Sequence, residues 1–336
     1  MDAAGRLAGR ARGLTGGRIH APGGIRASPR GAGPAVSHVA FIAKNLTNPA
    51  YGGALLGASA VAAKFGYEVR HSAPQQPDDI GEQAELIARA VADKPSAIIL
   101  IPAHESKLTT SIRAINFAGI PLVTIVGEAG TGDWICHVGA DDARLARDVA
   151  FRVLSRLAPG AQVAIMDGHP DSITTPKRHR GFLDALGGFP AVQLVESVTG
   201  YFQSEPAHEA ALGLLSRHPR LDALLVANDL MAMGVLQALH ETRRELLLSS
   251  VNGTPEAVAA VKLGRLVATA SFDTLRFGCL AMEAAARFLR GEKIPRRIVL
   301  PADIIDQTNC LAWDRPYAAR AHPDWESSVA AYGEQR

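Results

Sequence analysis

The sequence is short of cysteine and of net charge, and it has no long apolar run. Three cysteines, Cys136, Cys279 and Cys310, stand in 336 residues without a CxxC pair, a spacing that argues against zinc or a thioredoxin-like motif and allows one disulfide at most. Lys and Arg number 35 against 33 Asp and Glu, a formal charge of +2, so the basic surface that phosphate-backbone binding needs is missing and nucleic acid is not an expected partner. No uninterrupted apolar stretch reaches the about 18 residues of a membrane-spanning helix. Enzyme motifs are scarce as well. GxxxxGK[ST], HExxH and GxSxG do not occur, and the glycine cluster at 127–132 lacks the GxGxxG order that brings pyrophosphate against a helix start. His169 and His179 flank Asp171 and Arg178, but that spacing gives no metal geometry, so no metal, cofactor or catalytic residue is expected.

What is present is length and apolar content, 336 residues with 47% hydrophobic, enough for two cores. Residues 1–36 differ in composition, with Arg6, Arg10, Arg12, Arg18, Arg26 and Arg30 among glycine, alanine and proline. This stretch reads as disordered, or as following an assigned start that is not the one used in the cell. No apolar core of about 7 to 15 residues marks a secretory signal in it.

The stretch LDALLVANDLMAMGVLQAL, 221–239, organises the rest. Ala223 to Ala227 is an apolar run too short for a helix, whereas Met231, Val235, Ala238 and Leu239 recur at helical spacing, so the period changes at Asn228-Asp229. In open parallel sheets ligands sit at the carboxyl ends of strands, where Asn228 stands. Asp229 is expected to cap the helix. The same alternation runs from HVAFIA at 38–43 to RLVATASFD at 265–273, with Gly and Pro as helix stops, as in Gly119-Ile120-Pro121. A helix is expected near 181–186. Roughly ten strands with helical crossovers make an α/β fold of two parallel sheets rather than one wide one, with a crossing in the polar break at 139–142.

Strand ends on both halves carry polar groups: Lys44, Asn45 and Asn48, then His104, then Asp167 and His169, then Asn228, Asn252 and Asp273. A site rich in neutral amides and without a nucleophile–base pair suits reversible binding better than bond making.

The segments LTNPAY, GIPLVTI, KRHRGF, VANDLMAMGVLQAL, VNGTPEAVAAVKLGRLVATASFD and LRGEKIPRRIVLPADIIDQTN, in this order across about 38–310, are similar to the type I periplasmic solute-binding proteins of sugar ABC transporters, the ribose-binding group in particular. The resemblance implies two Rossmann-like lobes joined by three crossovers near Ala140, Phe272 and Pro301. Residues 38–140 with 273–301 would form the first lobe, and 141–272 with 302–336 the second. It implies a periplasmic, monomeric protein that closes on a small sugar, polyol or sugar acid and delivers it to an ABC permease in the membrane. Its sugar-contacting positions fall on Asn48, Tyr51, Arg178, Phe202 and Asn228, to which His104, Asn252 and Asp273 are added by place. Tyr51 and Phe202 offer stacking faces, and Arg178 and the asparagines offer directed hydrogen bonds. Asn48, before Pro49, also fits a helix cap, and Phe202 also fits lobe core.

Departures from the ribose pattern are Val126-Gly127 for an Asp-Arg pair, Asn252 for an acid, Phe272 for a Gln and Ile101 for an Asn. They leave Arg178, Lys44 and His104 as donors without matching acids, which points to an acidic ligand unless Glu128 or Asp273 neutralises Arg178. Cys279 and Cys310, both near the late crossovers, are the candidate pair for a disulfide if the protein is exported; the other reading is two buried free thiols. The alternative reading is the effector domain of a sugar-responsive transcription regulator like the lactose repressor family. It requires a helix-turn-helix module of about 60 residues ahead of the core, where only 1–36 stand.

Overall fold

A computed structural model describes residues 37–334; the expectation of disorder for 1–36 lies outside them. The chain opens with β1 (His38–Ile42), α1 (Pro49–Phe65), β2 (Glu68–Ser72), α2 (Ile80–Ala92) and β3 (Ala97–Leu100). It continues through α3 (Thr109–Phe117), β4 (Leu122–Ile125) and β5 (Cys136–Ala140). Next come α4 (Asp142–Leu154), β6 (Gln162–Asp167), α5 (Thr174–Leu186), β7 (Gln193–Thr199), α6 (Ser204–Arg217) and β8 (Leu221–Val226). The second half ends with α7 (Asp229–Thr242), β9 (Leu247–Val251), α8 (Pro255–Lys262) and β10 (Ala268–Ser271). Beyond these lie α9 (Thr274–Leu289), β11 (Arg297–Leu300), β12 (Asp303–Asp306), α10 (Trp325–Tyr332) and β13 (Gly333–Glu334).

The strands form two sheets, in the orders β13-β11-β5-β4-β3-β1-β2 and β12-β10-β9-β8-β6-β7. Pairing is parallel except where β12 meets β10 and β13 meets β11. Helices cover both faces, so the inner strands β1, β3 and β4 are buried throughout, as parallel sheets require. Of the four edge strands, the parallel ones β2 and β7 are polar and have no buried residue. One face of the first sheet packs Ile42, Ile98 and Leu100 on Ile87, Ile112 and Ile115.

The chain passes between sheets after β5, after β10 and between β11 and β12. It then crosses once more. A 3₁₀ turn at 310–312 lies against α8, but α10 packs on β11 and β13 pairs with it. Of residues 302–334, β12 stays with the second sheet while α10 and β13 return to the first, so the reading that gave this whole stretch to the second lobe is corrected.

Local signals explain most boundaries. Asn48 accepts from Ala50 N at 3.0 Å with Pro49 at the first helical position, and Gly66 ends α1 at φ 78°, a left-handed conformation suited to glycine. Helix α5 begins at Thr174, well before the expected 181, because the polar run Lys177-Arg178-His179-Arg180 hides its period. The cap of α7 is Asn228, whose Oδ1 accepts from Met231 N at 2.8 Å. Asp229, expected there, is instead fully buried and accepts from Ser250 Oγ, Thr269 Oγ1 at 2.7 Å and Thr254 N at 2.7 Å. Burial pushes its carboxyl above the ordinary range while those donors oppose the shift.

The candidate disulfide is absent and the alternative holds: Cys136, Cys279 and Cys310 are buried free thiols. Cys279 faces α1 in the first lobe, and Cys310 Sγ points to Gln307 O at 3.8 Å in the second. Burial pushes the Cys279 thiol up to about 12.

Helices α1 and α9 touch backbone to backbone. A Cβ at Gly278 would fall on Ala54 O, and one at Gly57 on Leu275 O. Gly278→Ala is therefore expected to lower stability by about 1 to 3 kcal/mol through overpacking; equal denaturation midpoints for variant and parent would contradict this.

His137 on β5 is buried, 3.0 Å from Thr124 Oγ1 and edge-on to Trp134. Burial lowers its pKa from 6.5 to about 4. The folded value lies below the unfolded one, so the unfolded chain takes up the proton first; stability is whole above pH 6.5 and falls as pH drops towards 4. The loss amounts to roughly 3 kcal/mol. His137→Gln should lose less stability than the parent across that window, and parallel pH–melting curves for the two proteins would refute it.

Candidate functional site

The carboxyl ends of both sheets face one another, and backbone strain collects there. Among the described residues eight that are not glycine have positive φ, and six of them (Asp78, Val126, Tyr201, Phe202, Asn252 and Asp273) lie in loops at this end. Such strain persists only where surrounding structure imposes it, and it concentrates at binding sites.

On the first-lobe side Lys44 follows β1 with 2% of its surface exposed. Its Nζ lies 3.3 Å from Asp78 Oδ1 and donates to Ser172 Oγ at 3.1 Å on the opposite lobe. The same Nζ is 5.9 Å from the ring centroid of Tyr51 and 5.2 Å from that of Phe202, so the two rings flank one point from opposite lobes. Burial alone would lower the Lys44 pKa, but the Asp78 carboxylate outweighs it and the net direction is up. Burial raises the Tyr51 phenol above its ordinary value.

On the second-lobe side Arg178 projects from α5 with 3% exposure. Its Nε donates to Asp142 Oδ1 at 2.7 Å, and its Nη1 donates to Ala227 O at 2.7 Å and Asn252 Oδ1 at 3.4 Å. The guanidinium lies between Phe202 and Phe272, 5.9 and 5.6 Å from their centroids. Asn252 Nδ2 in turn donates to Asn48 Oδ1 at 3.5 Å across the cleft. Asn228 is 1% exposed, and besides capping α7 it donates to Phe202 O at 3.4 Å, holding the left-handed turn that aims the ring. Gly168 carries no side chain because a Cβ there would overlap that ring.

Asn48, Tyr51, Arg178, Phe202, Asn228 and Asn252 are thus brought together. His104 and Asp273 make no hydrogen bond or ion pair with these residues. His104 Nδ1 accepts from Ser106 N and Lys107 N at 3.0 and 3.2 Å, closing its own loop. Asp273 starts α9 with its carboxylate 3.9 Å from Arg320 Nη1, and burial raises its pKa. Asp167 is tied to His179 Nδ1 at 2.8 Å, and Glu128 makes a bidentate pair with Arg297. Neither Glu128 nor Asp273 neutralises Arg178; Asp142 does. That overturns the picture of unmatched donors, because Arg178 and Lys44 each have an acid inside the protein. Sequence reasoning missed Asp142, Asp78 and Ser172, which act on residues far away in the chain and leave no local trace. Among the described residues one His–carboxylate group, Glu205, His208 and Glu209, lies together on α6; His208 Nε2 there pairs with Glu241 at 2.9 Å.

A family model described as a periplasmic binding protein domain matches residues 39–293. The chain belongs to that family. Among relatives, the ribose import binding protein of Bacillus subtilis is 28% identical over 78% of this chain and 85% of its own length. An ABC transporter solute-binding protein of Mycobacterium smegmatis, solved with bound glycerol, is 27% identical with a TM-score of 0.76 over 83% of this chain and 96% of that one. A solute-binding protein of Actinobacillus succinogenes, solved with D-allose, has a TM-score of 0.78 at 21% identity over 82% of this chain and 99% of that one, a likeness of fold. The family's two-lobed α/β architecture is the one described above, and its members are solute-binding proteins.

If the cleft holds a ligand ring between Tyr51 and Phe202, Phe202→Ala and Arg178→Ala each weaken binding by about 1 to 3 kcal/mol. Titration calorimetry on variants with parental melting temperatures reads this, and unchanged affinity removes the residue from the site.

Proposed function

We propose that this protein is the substrate-binding component of an ABC importer and reversibly binds one small neutral sugar or polyol between its lobes. The observation that carries the reading is the pair of aromatic rings, Tyr51 and Phe202, which come from opposite lobes to the Lys44 ammonium, with the Asn48–Asn252 amide pair joining the same two lobes. Aromatic faces cover the apolar faces of a sugar ring, while fixed donors and acceptors select its hydroxyls. The earlier expectation of an acidic ligand rested on cations without partners. With Asp142 and Asp78 in place the cleft is charge-balanced, and a neutral ligand fits it better.

Cross-cleft bonds supply the means of closure. Lys44–Ser172, Asn252–Asn48, Thr47–Gln203 at 3.3 Å and Lys107–Asp171 at 2.8 Å all join the lobes. A ligand that touches both walls binds the closed form better than the open one and shifts the hinge accordingly. The relatives' names support a sugar ligand, a periplasmic location and a permease partner. The protein acts in this reading as a monomer, without catalysis and without nucleic acid.

Calorimetry against neutral pentoses, hexoses and polyols, with X-ray scattering on the same samples, tests the proposal. One ligand per chain and a smaller radius of gyration on binding are expected. A radius unchanged at saturation contradicts closure, and a specific gel shift with promoter DNA would favour the regulator reading instead.

A further inference from the structure

Asp142 is the first residue of α4 but not its side-chain cap. Asp141 already caps α4, accepting from Arg144 N at 3.0 Å. A carboxylate in the first turn is favoured by the helix dipole wherever it points, yet the Asp142 side chain is turned inward, 7% exposed, to meet Arg178 at 2.7 Å. It takes the Nε edge of the guanidinium, and Nη1 goes to Ala227 O and Asn252. Among the described residues no group accepts from Nη2. The planar fork is therefore held by its inner edge with an outer N–H left for a ligand oxygen, and its charge is cancelled from behind.

We propose that Asp142 is the residue that sets ligand charge in this cleft. It is a positioning residue: by neutralising Arg178 it makes the fork a hydrogen-bond donor for a hydroxyl rather than a counter-ion for a carboxylate. Buried cations without a partner are costly and draw an anion in, so removing the Asp142 charge transfers that demand to the ligand. The inference rests on the sugar reading above and deepens it from a sugar to an uncharged one.

The test compares D-ribose and D-allose with their aldonic acids, D-ribonate and D-allonate, by calorimetric titration of the full chain. The parent should prefer the neutral aldoses. In Asp142→Asn, whose amide oxygen can still accept from Nε, the ratio of affinities should move towards the aldonates by about tenfold or more. Arg178→Gln, which leaves the carboxylate without its cation, should move the ratio the other way, and it serves alone if Asp142→Asn does not fold. A purely structural role would weaken neutral and acidic ligands alike and leave the ratio where it was. An unchanged ratio in a folded variant that still binds overturns the assignment of Asp142 alone. A parent that binds none of the four compounds or other neutral sugars overturns the sugar reading and this inference with it, and the two failures are told apart by the parent's own titration.

Discussion

A guanidinium withdrawn from water must bring its partners with it, and Arg178 organises the cleft by that requirement. Its three protein acceptors come from the start of α4, the end of β8 and the loop after β9, so one side chain on α5 ties together four segments of the second lobe. The same group lies over the rings of Phe202 and Phe272. The aromatic wall and the polar floor are therefore one unit, and α4 joins it at the residues where the chain first enters the lobe.

Around that unit the backbone is held in conformations it would not choose. Phe202 at φ 59° and Asn252 at φ 134° depend on bonds from outside their own loops: Asn228 Nδ2 reaches the Phe202 carbonyl, and Arg178 and Asn48 engage the Asn252 amide. Beneath them Asp229 draws Ser250, Thr254 and Thr269 to one carboxylate, fixing the loop that carries Asn252. The loops that would meet a ligand are preorganised by side chains behind them, which reduces the ordering cost that binding must overcome.

The strands and most helices were legible in the sequence because burial imposes a period on them: the shift at Asn228-Asp229 and the stop at Gly119-Ile120-Pro121 both mark real boundaries. Which of Asn228 and Asp229 would cap α7 was not legible, since the two residue types cap about equally well and only the third-dimensional neighbours Ser250 and Thr269 claim the carboxylate. The early turns of α5 were hidden by charge. Of the expected site, Asn48, Tyr51, Arg178, Phe202 and Asn228 could be proposed by motif, but the pairing of Arg178 with Asp142 spans 36 positions and that of Lys44 with Ser172 spans 128. No periodicity reports contacts of that kind. The two-residue strand β13 is too short to have any sequence signal.

That last strand changes how the lobes are connected. β1 opens the first sheet and β13 closes it, so the second lobe is an excursion out of a body that holds both ends of the described chain. Its rotation about the hinge leaves the distance between those ends unaltered. A pair of dyes on residues near 38 and 334 would be blind to the motion, whereas a pair spanning Thr47 and Gln203 would follow it directly. Anything tethered through either end would likewise be carried by the still half of the molecule, with the other half free to swing.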